Sequence, residues 1–206
     1  MDNRNDIQAI IESLVDKEPE SFSGVGDWAS PWTKGTIQRR DRIRAVAQYA
    51  AEHFDGDLLE IGCHCGATTV VLARIAAAHG RRVIGIDPWE LGTQNCQGHE
   101  YGEFVKAMTP WQDILDVLRL PSEDEKAIEY IKARELCFAY VDGRHTYENC
   151  YSDIMACGHA AVIAVDDLIW NQDVERAFND GCDELGRQAI RHDMIAEGYL
   201  VLCHEN

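Results

Sequence analysis

The sequence predicts an α/β protein with an open, mainly parallel sheet, helices on both faces and an antiparallel C-terminal edge strand. Three observations carry this. Short, nearly continuous apolar runs (Leu-Leu-Glu-Ile, Val-Ile-Gly-Ile, Cys-Phe-Ala-Tyr-Val and Ala-Val-Ile-Ala-Val) alternate with helix-length segments, as strands covered on both faces do. A pair of glycines follows the first run, and aspartates (Asp87, Asp142 and Asp166) end the later ones.

Taken in chain order, Ile7, Ile10, Ile11, Leu14 and Val15 fall at helical spacing over residues 6–16. Pro19, Gly24, Gly26 and Pro31 then break regular structure. Residues 1–35 read as a helical arm and loop, and residues 36–206 as the one domain. Ile43, Val46, Ala47 and Ala50 recur every three or four residues and predict a helix over Thr36–His53, with Arg39, Arg40, Arg42 and Arg44 in its other positions. Strand Asp57–Ile61, helix Ala67–His79 and strand Arg82–Ile86 follow. A weaker strand at Ile114–Leu118 and a helix at Glu123–Lys132 come next, then strands at Leu136–Val141 and Ala160–Val165. A helix near Val174–Leu185 precedes Ala189–Ile195, a Gly198 turn and Tyr199–Cys203; two strands so close in sequence pair antiparallel.

Composition narrows the function classes. The 19 Lys and Arg against 36 Asp and Glu leave a net charge of −17, which repels a nucleic-acid backbone. The eight Cys show no Cys-x-x-Cys pair, which fits free thiols in a reducing cytoplasm. No apolar run approaches the roughly 20 residues of a membrane helix. A soluble cytoplasmic protein acting on a small molecule is expected, with a homo-oligomer through the N-terminal arm as an open option.

The segment Glu60-Ile-Gly62-Cys63-His64-Cys65-Gly66-Ala-Thr68-Thr69 puts two glycines at a strand-to-helix turn, where a backbone without Cβ atoms lets a ligand lie against its amides. Asp87 ends the next strand, where an acidic side chain accepts hydrogen bonds from ribose hydroxyls. The turn lacks the third glycine of G-x-G-x-x-G, so a nucleoside without a diphosphate fits better than a dinucleotide. Cys63, His64 and Cys65 alternate on a tight turn and cannot surround one metal ion without further ligands.

These residues, followed by Val-Ile-Gly-Ile-Asp87-Pro-Trp89, resemble the first two motifs of the class I S-adenosylmethionine-dependent methyltransferases, which have a Rossmann-like fold. The resemblance implies S-adenosylmethionine as cofactor. It places Glu60, Gly62, Cys63, Gly66, Thr68 and Thr69 in the turn that holds it, Asp87 on the ribose hydroxyls and Ser122 near the adenine. His64 stands where many members have a glycine. Trp89 is expected to contact the cofactor; Trp28 and Trp32, flanking Pro31, are expected to pack the arm onto the domain or a second subunit, with stacking on the adenine or covering the substrate as the alternative.

A second cluster lies after strands four and five: Asp142-Gly143-Arg144-His145 and Asp166-Asp167. Parallel strands open their carboxyl ends on one crevice, so these acids are expected beside the glycine turn. Crowded carboxylates need protons or a cation, and oxygen ligands suit Mg²⁺, with Mn²⁺ or Ca²⁺ as alternatives. Asp166-Asp167 also reads as an ordinary loop cap, Asn171 as a helix N-cap, and Arg144 as solvent-facing. The pattern Asp142-Gly-x-His145-x-Tyr147, a helix carrying Asp153, and a strand ending in Asp166-Asp167 resembles the small-molecule O-methyltransferases related to macrocin O-methyltransferase and the cephalosporin-hydroxylase-like proteins. That resemblance implies Asp142, Asp166 and Asp167 as ligands of a divalent cation, and His145 as the general base of methyl transfer to a sugar or other hydroxylated natural product. A metal-independent methyltransferase and a non-catalytic nucleoside-binding protein stay open beside it.

Overall fold

The computed structural model describes residues 3–14, 34–90, 98–192 and 195–202. Strands β1 (Asp57–Ile61), β2 (Val83–Ile86), β3 (Leu115–Leu118), β4 (Leu136–Val141) and β5 (Val162–Val165) are parallel neighbours in the order β3-β2-β1-β4-β5. Strand β7 (Gly198–Val201) adds antiparallel to β5, and β6 (Gln188–Ile190) pairs antiparallel with β7 outside it. The expected hairpin is there, but the later of its strands is the inner one, so the edge of this seven-stranded sheet is β6.

Alternation along the strands sorts the core into two layers. Leu58, Phe138, Tyr140 and Val162 face one side, where they meet Ile7 of α1 (Asn3–Leu14), Val46 of α2 (Lys34–His53), Val71 of α3 (Ala67–Ala78) and Phe104 of α4 (Glu100–Met108). Leu59, Ala139, Val141 and Ile163 face the other, against Ile131 of α5 (Glu125–Lys132), Ile154 of α6 (Tyr147–Ala156) and Phe178 of α7 (Gln172–Leu185). Both faces being covered accounts for the apolar runs that announced the strands. Capping fixes where the second layer begins: Asp124, Thr146 and Asn171 accept backbone amides at the starts of α5, α6 and α7. Helix α4 is not among the predicted elements, although Tyr101, Phe104, Val105 and Met108 follow helical spacing. The loop after α1, with Trp28, Pro31 and Trp32, lies outside the described residues.

Among the arginines of α2, Arg42 is buried and forks onto Glu197, just before β7, with the second contact (Nη2 to Oε2) at 3.1 Å. Tyr199 donates to the same carboxylate at 3.3 Å. Removing one member of a pair this deeply sealed strands the other charge. Glu197→Ala is therefore expected to cost about 3–5 kcal/mol in a urea melt, and Arg42→Met in the same protein should recover part of it.

Candidate active site

The order β3-β2-β1-β4-β5 reverses between β1 and β4, and the carboxyl ends of the strands open there on a crevice. Gly62, directly after β1, has φ +91°, and a Cβ on it would lie 2.0 Å from the carbonyl oxygen of Asp142. The glycine is thus required first by the close passage of the chain leaving β4. Gly66, at φ +85°, begins α3, and a Cβ there would meet the Phe104 ring at 3.0 Å. His64, in place of a glycine, takes the left-handed conformation itself at φ +47°.

Asp87 fastens this turn. Its Oδ2 accepts the His64 amide at 2.9 Å and its Oδ1 the Trp89 amide at 2.7 Å. The Trp89 indole N–H donates to the His64 carbonyl at 2.7 Å, and its ring is buried against Tyr101 and Phe104. The buried ring and its indole N–H thus brace the turn. Three more of the expected cofactor residues are buried under the turn. Thr69 donates a hydrogen bond to Glu60, and the Cys63 thiol faces the carbonyls of Glu60 and Ile86 at 3.6 and 3.8 Å. Burial, above all other causes, holds the Glu60 carboxyl well above the ordinary carboxylate range, and neighbouring Asp142 and Asp87 push the same way. Asp87, Thr68 and Ser122 are half-buried, as Gly62 is, and Gly66 is buried.

Across the crevice, the His145 Nε2 lies 3.4 Å from Asp142 Oδ1 and 3.6 Å from Asp167 Oδ2. The hydrogen bond to Asp142 raises its pKa above the usual histidine value; burial opposes this, and the charges of Asp142, Asp167 and Asp166 add to it. Asn171 caps α7 with its side-chain oxygen, as expected, and its amide nitrogen donates to the His145 carbonyl at 2.9 Å, joining the two loops. Asp167 reaches its place with φ +61°. Asp166 is 1% exposed and accepts the Tyr140 hydroxyl at 2.9 Å, while the imidazole occupies the space between Asp142 and Asp167. Among the described residues, no group of three or more His, Cys, Asp or Glu side chains is arranged to hold a metal ion.

A family model described as a methyltransferase domain matches residues 59–168, more than half of the chain. The chain belongs to this methyltransferase family. The matched span runs from inside β1 to just beyond Asp167, and so takes in the turn, Asp87 and the His145 cluster. No curated protein sequence matches the methyltransferase. Solved structures that share its fold include CalS11, a TDP-rhamnose 3′-O-methyltransferase of calicheamicin biosynthesis, with a TM-score of 0.62 and 14% identity over 96% of this chain and 93% of that one. The O-methyltransferase NovP aligns with a TM-score of 0.59 and 15% identity over 97% and 99% of the two chains. An O-methyltransferase from Bacillus cereus, in complex with SAH, aligns with a TM-score of 0.57 and 13% identity over 94% and 91%.

The resemblance to class I methyltransferases thus holds in family and in fold. Among the described residues of the methyltransferase, no helix is long and apolar enough to cross a membrane. Tyr140 and Phe104 are residues that the sequence does not place at the site, and Asp153, although part of the motif, has no role assigned there. Tyr140 and Phe104 give no signal apart from their apolar strand and helix patterns.

Proposed function

We propose that the methyltransferase moves the methyl group of S-adenosylmethionine to a hydroxyl of a small molecule, a sugar or other hydroxylated natural product, with His145 as the base. One observation carries this reading: a half-buried imidazole, bracketed by two carboxylates, stands across the strand ends from the glycine turn and Asp87. The likeness to CalS11 supports a sugar-like acceptor, because that protein of the same fold is a TDP-rhamnose 3′-O-methyltransferase. Gly62, Gly66 and Thr68 would lie along the cofactor, Asp87 would take its ribose hydroxyls and Ser122 its adenine. Glu60, Thr69, Cys63 and Trp89 would shape the turn from below.

S-adenosylmethionine supplies an electrophilic methyl carbon on a sulfonium. An acceptor oxygen attacks it in line: the carbon–oxygen bond forms as the carbon–sulfur bond breaks, the electron pair returns to sulfur, and the hydroxyl proton leaves to the base. Donation of Nε2–H to Asp142 leaves the imidazole lone pair on Nδ1, and that nitrogen is the accepting atom. Asp142 and Asp167 then stabilise the imidazolium.

A divalent cation does not fit the side chains as they stand, since the imidazole lies between Asp142 and Asp167, and Oδ2 of the buried Asp166 accepts the Tyr140 hydroxyl. Calorimetric titration should show S-adenosylmethionine and S-adenosylhomocysteine binding equally well with Mg²⁺ and with chelator. Turnover on a panel of sugars and diols should likewise survive chelation. A chain that binds neither nucleoside is not this enzyme, and turnover abolished by chelator would reinstate the cation.

A further inference from the structure

Asp153 is an ionisable side chain inside the protein with no part in the methyl transfer proposed above. It sits on α6 with 1% exposure. The Ser122 hydroxyl, on the loop after β3, faces its carboxyl closely enough to favour the charged form. On its other side is Gly143, between Asp142 and the Arg144-His145 pair: a Cβ on Gly143 would lie 3.2 Å from Asp153 Oδ2 and 3.2 Å from the Ile61 side chain. That oxygen is buried and accepts no hydrogen bond among the described residues. Above this contact the same two loops meet again at the surface, where Arg144 Nη1 lies 3.1 Å from Glu123 Oε1. A carboxyl sealed away from the surface with so few polar neighbours needs a reason to be there, since an apolar side chain of equal volume costs less to bury.

We propose that Asp153 is a positioning residue that couples the adenine end of the cofactor site to the base: it accepts the Ser122 hydroxyl on one loop and packs against Gly143, two residues before His145, on the other. The inference rests on the proposed methyltransferase site, with Ser122 at the adenine. The two loops then move together because the one buried side chain lies between them, bonded to Ser122 and packed on Gly143. Burial, the largest cause, raises the Asp153 pKa to about 7, Glu123 adds to the rise and Ser122 opposes it. The buried thiols of Cys150 and Cys157 also feel its charge. Asparagine, with the same shape and one acceptor oxygen, should therefore serve nearly as well.

The test compares Asp153→Leu, which keeps the volume but removes the acceptor, with Asp153→Asn, reading S-adenosylhomocysteine affinity and kcat at saturating S-adenosylmethionine. The leucine variant is expected to weaken nucleoside binding about tenfold and to lower kcat about tenfold, and the asparagine variant to stay within about threefold in both. Equal behaviour of the two variants, or a loss in only one of the two readouts, overturns the coupling. Should the leucine variant fail to fold, Ser122→Ala decides: it must lower kcat as well as affinity, although Ser122 would lie at the adenine and away from the reacting carbon. Unchanged kcat there overturns the coupling too. Wild-type protein that binds no nucleoside refutes the methyltransferase reading itself, whereas wild-type binding with an unaffected leucine variant refutes only this inference.

Discussion

Replacing His145 by alanine is expected to slow methyl transfer by about 10²–10⁴-fold, the usual weight of a positioned general base, with S-adenosylhomocysteine affinity nearly intact. The residue is held from three directions: Asp142 and Asp167 lie near Nε2, and the Asn171 amide donates to the His145 carbonyl. None of these contacts involves the glycine turn or Asp87, so removal of the imidazole should leave the nucleoside site standing. A loss confined to kcat marks a group used in the transition state. Equal losses in kcat and nucleoside affinity would make His145 a structural residue.

The pH profile gives an independent check. Hydrogen bonding to Asp142 and the surrounding carboxylates raise the folded-state pKa of His145 above 6.5. A base works only when neutral, so kcat/KM should climb as pH rises through that raised value and level off above it. Stability runs the opposite way. The charged pairing contributes fully below pH about 6.5 and fades as pH passes through the higher folded value. Asp142→Asn should bring the rise in kcat/KM to lower pH, because the largest cause of the shift is gone, while leaving the imidazole less firmly aimed. A profile that does not move with Asp142 would detach the carboxylate from the base.

The layout of the sheet was legible because strands buried on both faces must be apolar throughout, and the turn was legible because few positions other than sharp turns ask for two glycines beside an acid. Helix α4 escaped because its nine residues, five of them apolar, follow a polar stretch without a helix start signal. Residues such as Arg42 escaped for a different reason. Helical spacing gives an arginine no inward signal, and its burial depends on a carboxylate 155 residues away. For the acidic cluster, sequence brings Asp142, Asp166 and Asp167 to the same strand ends but does not show how their side chains are partnered. Only the side-chain rotamers show that Asp166 answers Tyr140 and that His145 stands between the other two. Trp89 is a similar case: its position beside Asp87 suggests a ligand contact, and only the structure shows its ring buried with the indole N–H on the His64 carbonyl.

Gly62→Ala is expected to be the most damaging single-methyl change in the protein, costing more than about 4 kcal/mol, the range reserved for specific structural conflicts. Two penalties combine. Alanine at φ +91° is strained wherever it sits, and the new Cβ would stand 2.0 Å from the Asp142 carbonyl oxygen. Neither partner has room to yield. The Gly62 amide donates to the Ile86 carbonyl at 2.9 Å and the Asp142 amide to the Ile61 carbonyl at 2.9 Å, so relief requires β1 to part from β2 or from β4. Gly80→Ala separates the two penalties, because Gly80 also has positive φ, +64°, yet a Cβ there meets nothing within 4 Å. It should lose only the left-handed cost of about 1–2 kcal/mol. Urea melts of the two variants side by side measure the difference, and a Gly62→Ala no worse than Gly80→Ala would mean that the strand ends do not pass this closely. Because Asp142 is the residue displaced, any folded fraction of Gly62→Ala should also lose the aim of His145. A single glycine chosen for backbone clearance therefore sets both the cofactor turn and the carboxylate that steadies the base.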